Sequence, residues 1–149
     1  MISREVEDAL RSQTVMTLSM ALTDEPYAVP VSYGYSDGHL YFHGSLTGRK
    51  ISTLLKNPRV CFSIVVESSV KPADLPCQWS TSFRSVVGFG SVQVLQDPLL
   101  KCKALNAVMT QHCKFNGQEE PSSFEYGEAI LLRTAVFSLK IGDVTLKVH

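Results

Sequence analysis

The segment Ser45-Leu46-Thr47-Gly48-Arg49-Lys50 concentrates more chemistry than any other stretch of the chain. It leaves an apolar, strand-forming run and opens a helix-forming one, with Thr47 the expected cap. Two cations then fall in the first helical turn, where unpaired backbone N–H groups already present partial positive charge. Each such cation costs roughly 0.3–1 kcal/mol, so the segment works against its own helix. A docked anion reverses the sign, because backbone N–H groups, two hydroxyls, a guanidinium and an ammonium then converge on it. A phosphate fits that donor set best. The competing reading is a helix whose Arg49 and Lys50 are simply solvated.

Other residues carry weaker signals. His43 closes the preceding strand, where it either faces a ligand and handles a proton near neutral pH or serves as a hydrogen-bonded structural histidine. Gly88-Phe89-Gly90 fails as a dinucleotide fingerprint, since no third glycine follows and strand-like sequence continues on both sides. Glycine inside a strand marks a bulge or a close approach by another backbone or a ligand. A planar ring lying against the strand and a barrel corner both use such space. His112 lies on an apolar helical stripe, which favours core or cap duty. Trp79 reads as a core anchor, an interface anchor or a stacking partner. No P-loop, Ser-His-Asp elbow or metal site is found in the sequence.

The elements that must hold these residues follow from periodicity. Ser3–Arg11 reads as a short helix capped by Ser3, with Val6, Ala9 and Leu10 at helical spacing. Val15–Leu22 reads as a strand that stops at Thr23-Asp24-Glu25-Pro26. Tyr27–Tyr35 alternates, with Tyr27, Val29, Val31, Tyr33 and Tyr35 on one face. Pro30 within it marks an edge strand or an interrupted ladder. Ser36-Asp37-Gly38 carries turn chemistry, so His39–His43 is expected to return as the second arm of a hairpin. Ile51–Lys56 is a short helix closed by Asn57-Pro58. Val60–Val66 is a nearly continuous apolar strand, a pattern expected when both faces are buried.

Val70–Pro76 reads as a loop and Ser82–Leu95 as a long strand. Asp97-Pro98 starts a helix as cap and first-position proline, and Leu105, Val108, Met109 and His112 form its stripe. Lys114–Gly127 reads as a polar loop, and Glu128–Ile141 as the last long strand, with a short extension at Val144–Val148. This order predicts a mainly β fold: an antiparallel barrel of about six to seven strands with packed helices, forming a single domain over residues 1–149.

Composition limits the function. Hydrophobic residues make up 44% and charged residues 19% of the 149, which describes a chain able to fold around a core. Lys plus Arg and Asp plus Glu both number 14, so no overall field draws nucleic acid or an anionic membrane. Any anion site must therefore be built locally. Cys61, Cys77, Cys102 and Cys113 are too irregularly spaced for a CxxC pair, and no apolar run approaches a membrane span. A cytoplasmic chain with reduced thiols is expected.

Taken in order, Pro26–Tyr35, Leu40-Tyr41-Phe42-His43, Gly48-Arg49-Lys50, Asn57-Pro58-Arg59-Val60-Cys61-Phe62 and Ser85-Val86-Val87-Gly88-Phe89-Gly90 resemble one family. It is that of the pyridoxamine 5'-phosphate oxidase-like FMN-binding split β-barrels, and the resemblance is nearest to the nitroimidazole-resistance (Nim-type) branch. The resemblance implies a homodimer with FMN at the subunit interface. Arg49 and Lys50 would hold the FMN phosphate across Gly48, and Ser45 and Thr47 would add hydroxyl contacts. Val29, Pro30, Val31, Ser32 and Tyr33 would run beside the isoalloxazine ring through backbone contacts. His43 would stand near its reactive edge as a proton donor, and Ser85, Val86 and Gly88 would line the cofactor from the long strand.

The function implied is an oxidoreductase passing electrons from reduced flavin to a small acceptor such as a nitroaromatic or quinone, with NAD(P)H as electron donor. The alternative is a non-catalytic FMN- or haem-binding carrier of the same fold, and haem or a deazaflavin are the alternative cofactors. The vitamin B6 oxidases carry an Arg/His cluster near the C-terminus that binds the substrate phosphate. Ser138–His149 contains no such cluster, so pyridoxamine phosphate is not the expected substrate.

Overall fold

The computed structural model describes residues 2–121 and 124–149. Helix α1 (Arg4–Arg11) starts where Ser3 Oγ accepts the Val6 N–H at 3.3 Å, and it buries Val6, Ala9 and Leu10. Strand β1 (Val15–Leu22) has the predicted bounds, with Met16, Leu18 and Met20 inward. Strand β2 (Glu25–Ser32) begins earlier than expected. Thr23 and Asp24 both take positive φ (51° and 61°), which turns the chain in two residues, and β2 pairs with all of β1. The expected strand Tyr27–Tyr35 is in fact two. It breaks at Tyr33, whose N–H donates to Thr14 O, and resumes as β3 (Gly34–Ser36).

Strand β4 (His39–Ser45) pairs with β3 over three residues only, so the predicted hairpin is short. After α2 (Arg49–Lys56) come β5 (Arg59–Lys71), a 3-10 turn at Pro76–Gln78 and β6 (Ser80–Leu95). The expected loop at Val70 is strand as far as Lys71. Helix α3 (Pro98–Phe115) is capped by Asp97, which accepts the Leu99 N–H at 2.9 Å. The first part of the predicted last strand is helix instead, α4 (Glu128–Arg133), and β7 (Thr134–Val148) then runs unbroken through the expected extension. Lys101, buried on α3, fixes that junction by donating to Leu131 O and Thr134 O. Within the predicted polar loop, helix α3 extends to Phe115, and Ser122 and Ser123 lie outside the described residues.

All ladders are antiparallel, in the order β2-β1-β5-β6-β7-β4-β3. The two ends of this sheet, β2 and β3, are joined through the single residue Tyr33. The sheet must therefore curl until its edges meet, and β2 does approach β4. That closure makes the barrel, and it leaves β2 an edge strand, which is why Pro30 is tolerated there. The main core fills the barrel, with Tyr33, Phe42, Phe62 and Phe137 fully enclosed. A second cluster of Leu95, Ala104, Leu105 and Val136 seats α3.

Strand β5 is buried on one face only. Val60, Phe62 and Ile64 point in, while Cys61, Ser63 and Val65 point out. Three register rows cross the outer face of β2, β1, β5 and β6: Ala28–Ser19–Cys61–Phe89, Pro30–Thr17–Ser63–Val87 and Ser32–Val15–Val65–Ser85. None of these residues is charged, and Val15, Val65 and Phe89 are each more than half exposed. Among the described residues no helix is long and apolar enough to cross a membrane.

Candidate functional site

The end of β4, the loop after it and the start of α2 form the centre of the site. Thr47 is not the cap. Its N–H instead donates to Ser45 Oγ at 3.3 Å, and Gly48 takes the cap position at φ +119°, where side chains are strained. A glycine has no oxygen to offer, so no side chain satisfies the first N–H groups of α2. Two cations stand at this uncapped end. The Arg49 guanidinium lies 4.2 Å over the Tyr27 ring and pairs with Glu25 Oε1 at 3.0 Å, which ties α2 to the start of β2. The Lys50 side chain folds back over Gly44, where a Cβ would stand 2.9 Å from Nζ. Among the described residues no carboxylate lies within ion-pair distance of Lys50. Desolvation holds its pKa below the ordinary lysine value.

His43 is exposed at the mouth of the same cleft. Its pKa is lowered by desolvation first, then by the charges of Lys50 and His112. His112 comes from α3 and is not a core residue. Its Nδ1 lies 2.7 Å from Val108 O, so that nitrogen donates to the carbonyl. The cleft thus gathers four basic groups and one carboxylate, Glu25. Its chemistry suits a dianion, with a neutral imidazole at hand to take a proton. Glu25, Tyr27 and Gly44 escaped the sequence reading, because Glu25 sits in an apparent turn and a glycine beneath a lysine leaves no local signature, while His112 reads by its stripe as a core or cap residue.

The other predicted residues divide by face. Pro30 and Ser32 point outward from β2. Val29 is partly buried against the core, and Val31 and Tyr33 are buried, so none of these three side chains faces a ligand, and the Tyr33 N–H is already given to Thr14 O. The Tyr33 hydroxyl is committed to Leu10 O at 2.6 Å, and burial pushes its pKa up. Ser85 points outward in the row of Ser32, but three strands away, about 14 Å across the sheet. Val86 is a fully buried core residue.

Gly88 makes no room for a ligand ring. A Cβ there would meet Phe62 Cζ at 2.4 Å, so the space belongs to the core. The register shift between Gly88 and Gly90 against β7 is the bulge that strand glycines can mark. One chain therefore brings Ser45, Thr47, Gly48, Arg49, Lys50 and His43 together on the cleft. It leaves Ser85, Val86 and Gly88 apart from them.

Residues 3–148 match the family model described as pyridoxamine 5'-phosphate oxidase. No curated protein sequence matches the chain. Among solved structures, a candidate 5-nitroimidazole antibiotic resistance protein from Bacteroides thetaiotaomicron superposes with a TM-score of 0.80 at 23% identity, covering 99% of this chain and 85% of that one. An FAD- and haem-binding protein from Mycobacterium smegmatis gives 0.82 at 23% identity, over 98% of this chain and 71% of that one. The flavocytochrome Anf3 from Azotobacter vinelandii gives 0.79 at 20% identity, over 99% and 67%. At these identities the likeness establishes a shared fold.

Proposed function

The chain belongs to the pyridoxamine 5'-phosphate oxidase family, and from that premise we propose that it is a flavoprotein holding FMN by its phosphate at the start of α2. The observation that carries this reading is the half-buried Lys50 ammonium, which has no carboxylate partner among the described residues and stands at a helix N-terminus that no side chain caps. A phosphate supplies what both features lack, and the donor set fits it. Neighbours of the same fold bind FAD and haem, which supports a flavin here and keeps haem as the alternative cofactor.

Each group has a task. Lys50 and the α2 N–H groups bind the phosphate, Arg49 swings from or shares Glu25 to join them, and Ser45 and Thr47 add hydroxyls. Along Val29–Tyr33 the outer edge of β2 offers the ring system the Pro30 and Ser32 carbonyls and the Ser32 N–H, since Val29, Val31 and Tyr33 turn their backbone groups to β1 and Pro30 has no N–H. FMN, when bound, supplies the electron relay from NAD(P)H to a small acceptor such as a nitroaromatic or quinone. His43 handles the proton. Desolvation and then the neighbouring charges lower its pKa, which favours the neutral imidazole, and a bound dianion would offset the Lys50 charge and let the ring take up a proton that it can pass on.

The uncharged face of β2, β1, β5 and β6 is where a second copy would pack, giving a homodimer with FMN at the interface. Four free thiols fit a reducing cytoplasm.

The test is the purified protein's absorbance before and after incubation with FMN, followed by release on denaturation. A yellow protein releasing FMN is expected, whereas a Soret band would replace FMN with haem. Absence of any chromophore after excess FMN would refute the flavin reading. Rapid mixing of the loaded protein with NADPH, then with a nitroaromatic or quinone, separates a reductase from a carrier.

A further inference from the structure

A second cavity, of about 270 Å³, opens between α3, β3 and the end of α1. Lys103, Ala107, Thr110, Gln111 and Lys114 line it from α3, where intervals of three and four residues bring side chains onto one face. His112, which serves the cofactor cleft, falls half a turn round the helix from Lys103. Helix α3 therefore separates the two sites.

The walls of the cavity are fixed to one another by buried Gln111. Its Oε1 accepts the Tyr35 N–H at 2.7 Å, and its Nε2 donates to Leu10 O and Gln13 O. Gly34 lets β3 lie directly on α3, since a Cβ there would stand 2.5 Å from Ala107 O. The Arg11 guanidinium is held 4.8 Å over the Tyr35 ring and donates to Tyr35 O at 3.5 Å. The Tyr126 hydroxyl donates to Asn106 Oδ1 at 2.9 Å, so Nδ2 of this lining residue is left as a free donor.

The lining is rich in donors and, among the described residues, holds no carboxylate. Glu120 pairs with Lys114 at 3.6 Å and accepts from Thr110 Oγ1 at 3.4 Å, while Glu7 accepts the Tyr35 hydroxyl at 2.7 Å. Among the described residues no carboxylate lies within ion-pair distance of Arg11 or Lys103. Two like charges thus border one small cavity without a partner of opposite sign. Its volume falls just below the usual range for small-molecule pockets, about 300–1,000 Å³. The ligand is therefore small or enters by one end.

We propose that this cavity takes a phosphomonoester, gripped by Arg11 and Lys103 with Asn106 donating beside them. The dianion offsets both charges, and its three terminal oxygens match the guanidinium fork, the ammonium and the amide. A monocarboxylate would leave one cation unmatched. The ester is either a free small molecule or the 2'-phosphate end of NADPH, whose remainder lies outside the cavity. This does not rest on the flavin reading, because FMN is assigned to the cleft on the other side of α3.

The test is an NMR titration of the 15N-labelled full chain with glycerol 3-phosphate. Saturating shifts are expected at Arg11, Ser36 and Lys103–Thr110, and none with glycerol or with sodium chloride at equal ionic strength. Arg11→Met and Lys103→Met should each weaken binding at least fivefold, and together more than twentyfold. Arg49→Ala with Lys50→Ala should leave it within twofold. Lys103 is exposed, so its variant keeps the test decisive even if Arg11→Met fails to fold. A parallel titration with 2',5'-ADP separates the sources. Binding more than tenfold tighter than glycerol 3-phosphate identifies the nucleotide, and equal or weaker binding identifies the free ester. The proposal is overturned if no saturable binding occurs up to about 20 mM, if chloride gives the same shifts, or if Lys103→Met binds as wild type does. It is also overturned if binding is lost in the Arg49→Ala, Lys50→Ala chain, since the ester would then occupy the cofactor cleft.

Discussion

Replacing Arg49 and Lys50 together by alanine removes both side-chain cations from the cleft while leaving the Gly48 cap. Two charge-assisted contacts contribute about 1.5–3 kcal/mol each. Against this, Arg49 gives up or shares an ion pair with Glu25 whose side chains are 53% and 73% exposed. Pairs that open to solvent contribute only about 0–1 kcal/mol. Among the described residues Lys50 has no carboxylate to leave, and its ammonium is already desolvated by the fold. The net loss is about 2–6 kcal/mol, which means FMN binding weaker by roughly 30- to 20,000-fold. Titration of FMN fluorescence reads the affinity directly, with riboflavin as the internal comparison because it lacks the phosphate. Wild type should prefer FMN over riboflavin by a similar factor, and the double variant should scarcely distinguish them. The thermal midpoint should not fall, since no buried contact is lost. FMN affinity within threefold of wild type, or an unchanged preference over riboflavin, would refute the phosphate site.

The remaining expectations concern the proton, the core and the helix seat. The folded His43 pKa lies below 6.5, so its stabilising contribution is complete above that value and is lost as pH falls through the folded pKa. NMR titration should find it below 6.5 in the free chain and raised by Lys50→Met or by bound FMN, and a free-chain value at or above 6.5 would contradict the arrangement. Gly88→Ala forces a methyl against the fully buried Phe62 ring and should cost about 1–3 kcal/mol by urea unfolding. Phe62→Leu in the same chain should recover part of that, and an unperturbed Gly88→Ala would mean that the interior has space there. Gln111→Leu orphans the buried Tyr35 N–H and two donations to Leu10 O and Gln13 O. It should cost about 2–4 kcal/mol, with hydrogen exchange rising in α1 and β3 first, and protection unchanged in both would rule out this clamp.

Much of the scaffold was legible because its signals are short-range. The β-forming and apolar run Val15–Leu22 set β1 to the residue, Ser3 and Asp97-Pro98 marked the starts of α1 and α3, and Pro30 marked an edge. Misreadings arose where local preference was overridden. Glu128–Arg133 carries apolar residues that suit a strand or a helix, and the Lys101 ammonium, thirty residues earlier on α3, holds its end as helix. Thr47 is a good cap by type, yet Gly48 supplies the backbone angle that the tight exit from β4 requires.

The chain's own order of residues determined that a barrel would form and that cations would crowd the start of α2, since strand period, turn chemistry and helix charge act over a few neighbours. Tertiary structure decided what those cations face. Arg49 meets Glu25 and Tyr27 from across a strand, and Lys50 rests on Gly44. His112 arrives from a helix some sixty residues away, while Gly88 is spent on Phe62. Such contacts depend on how the sheet curls through Tyr33 to close on itself, and no window of neighbouring residues contains that closure.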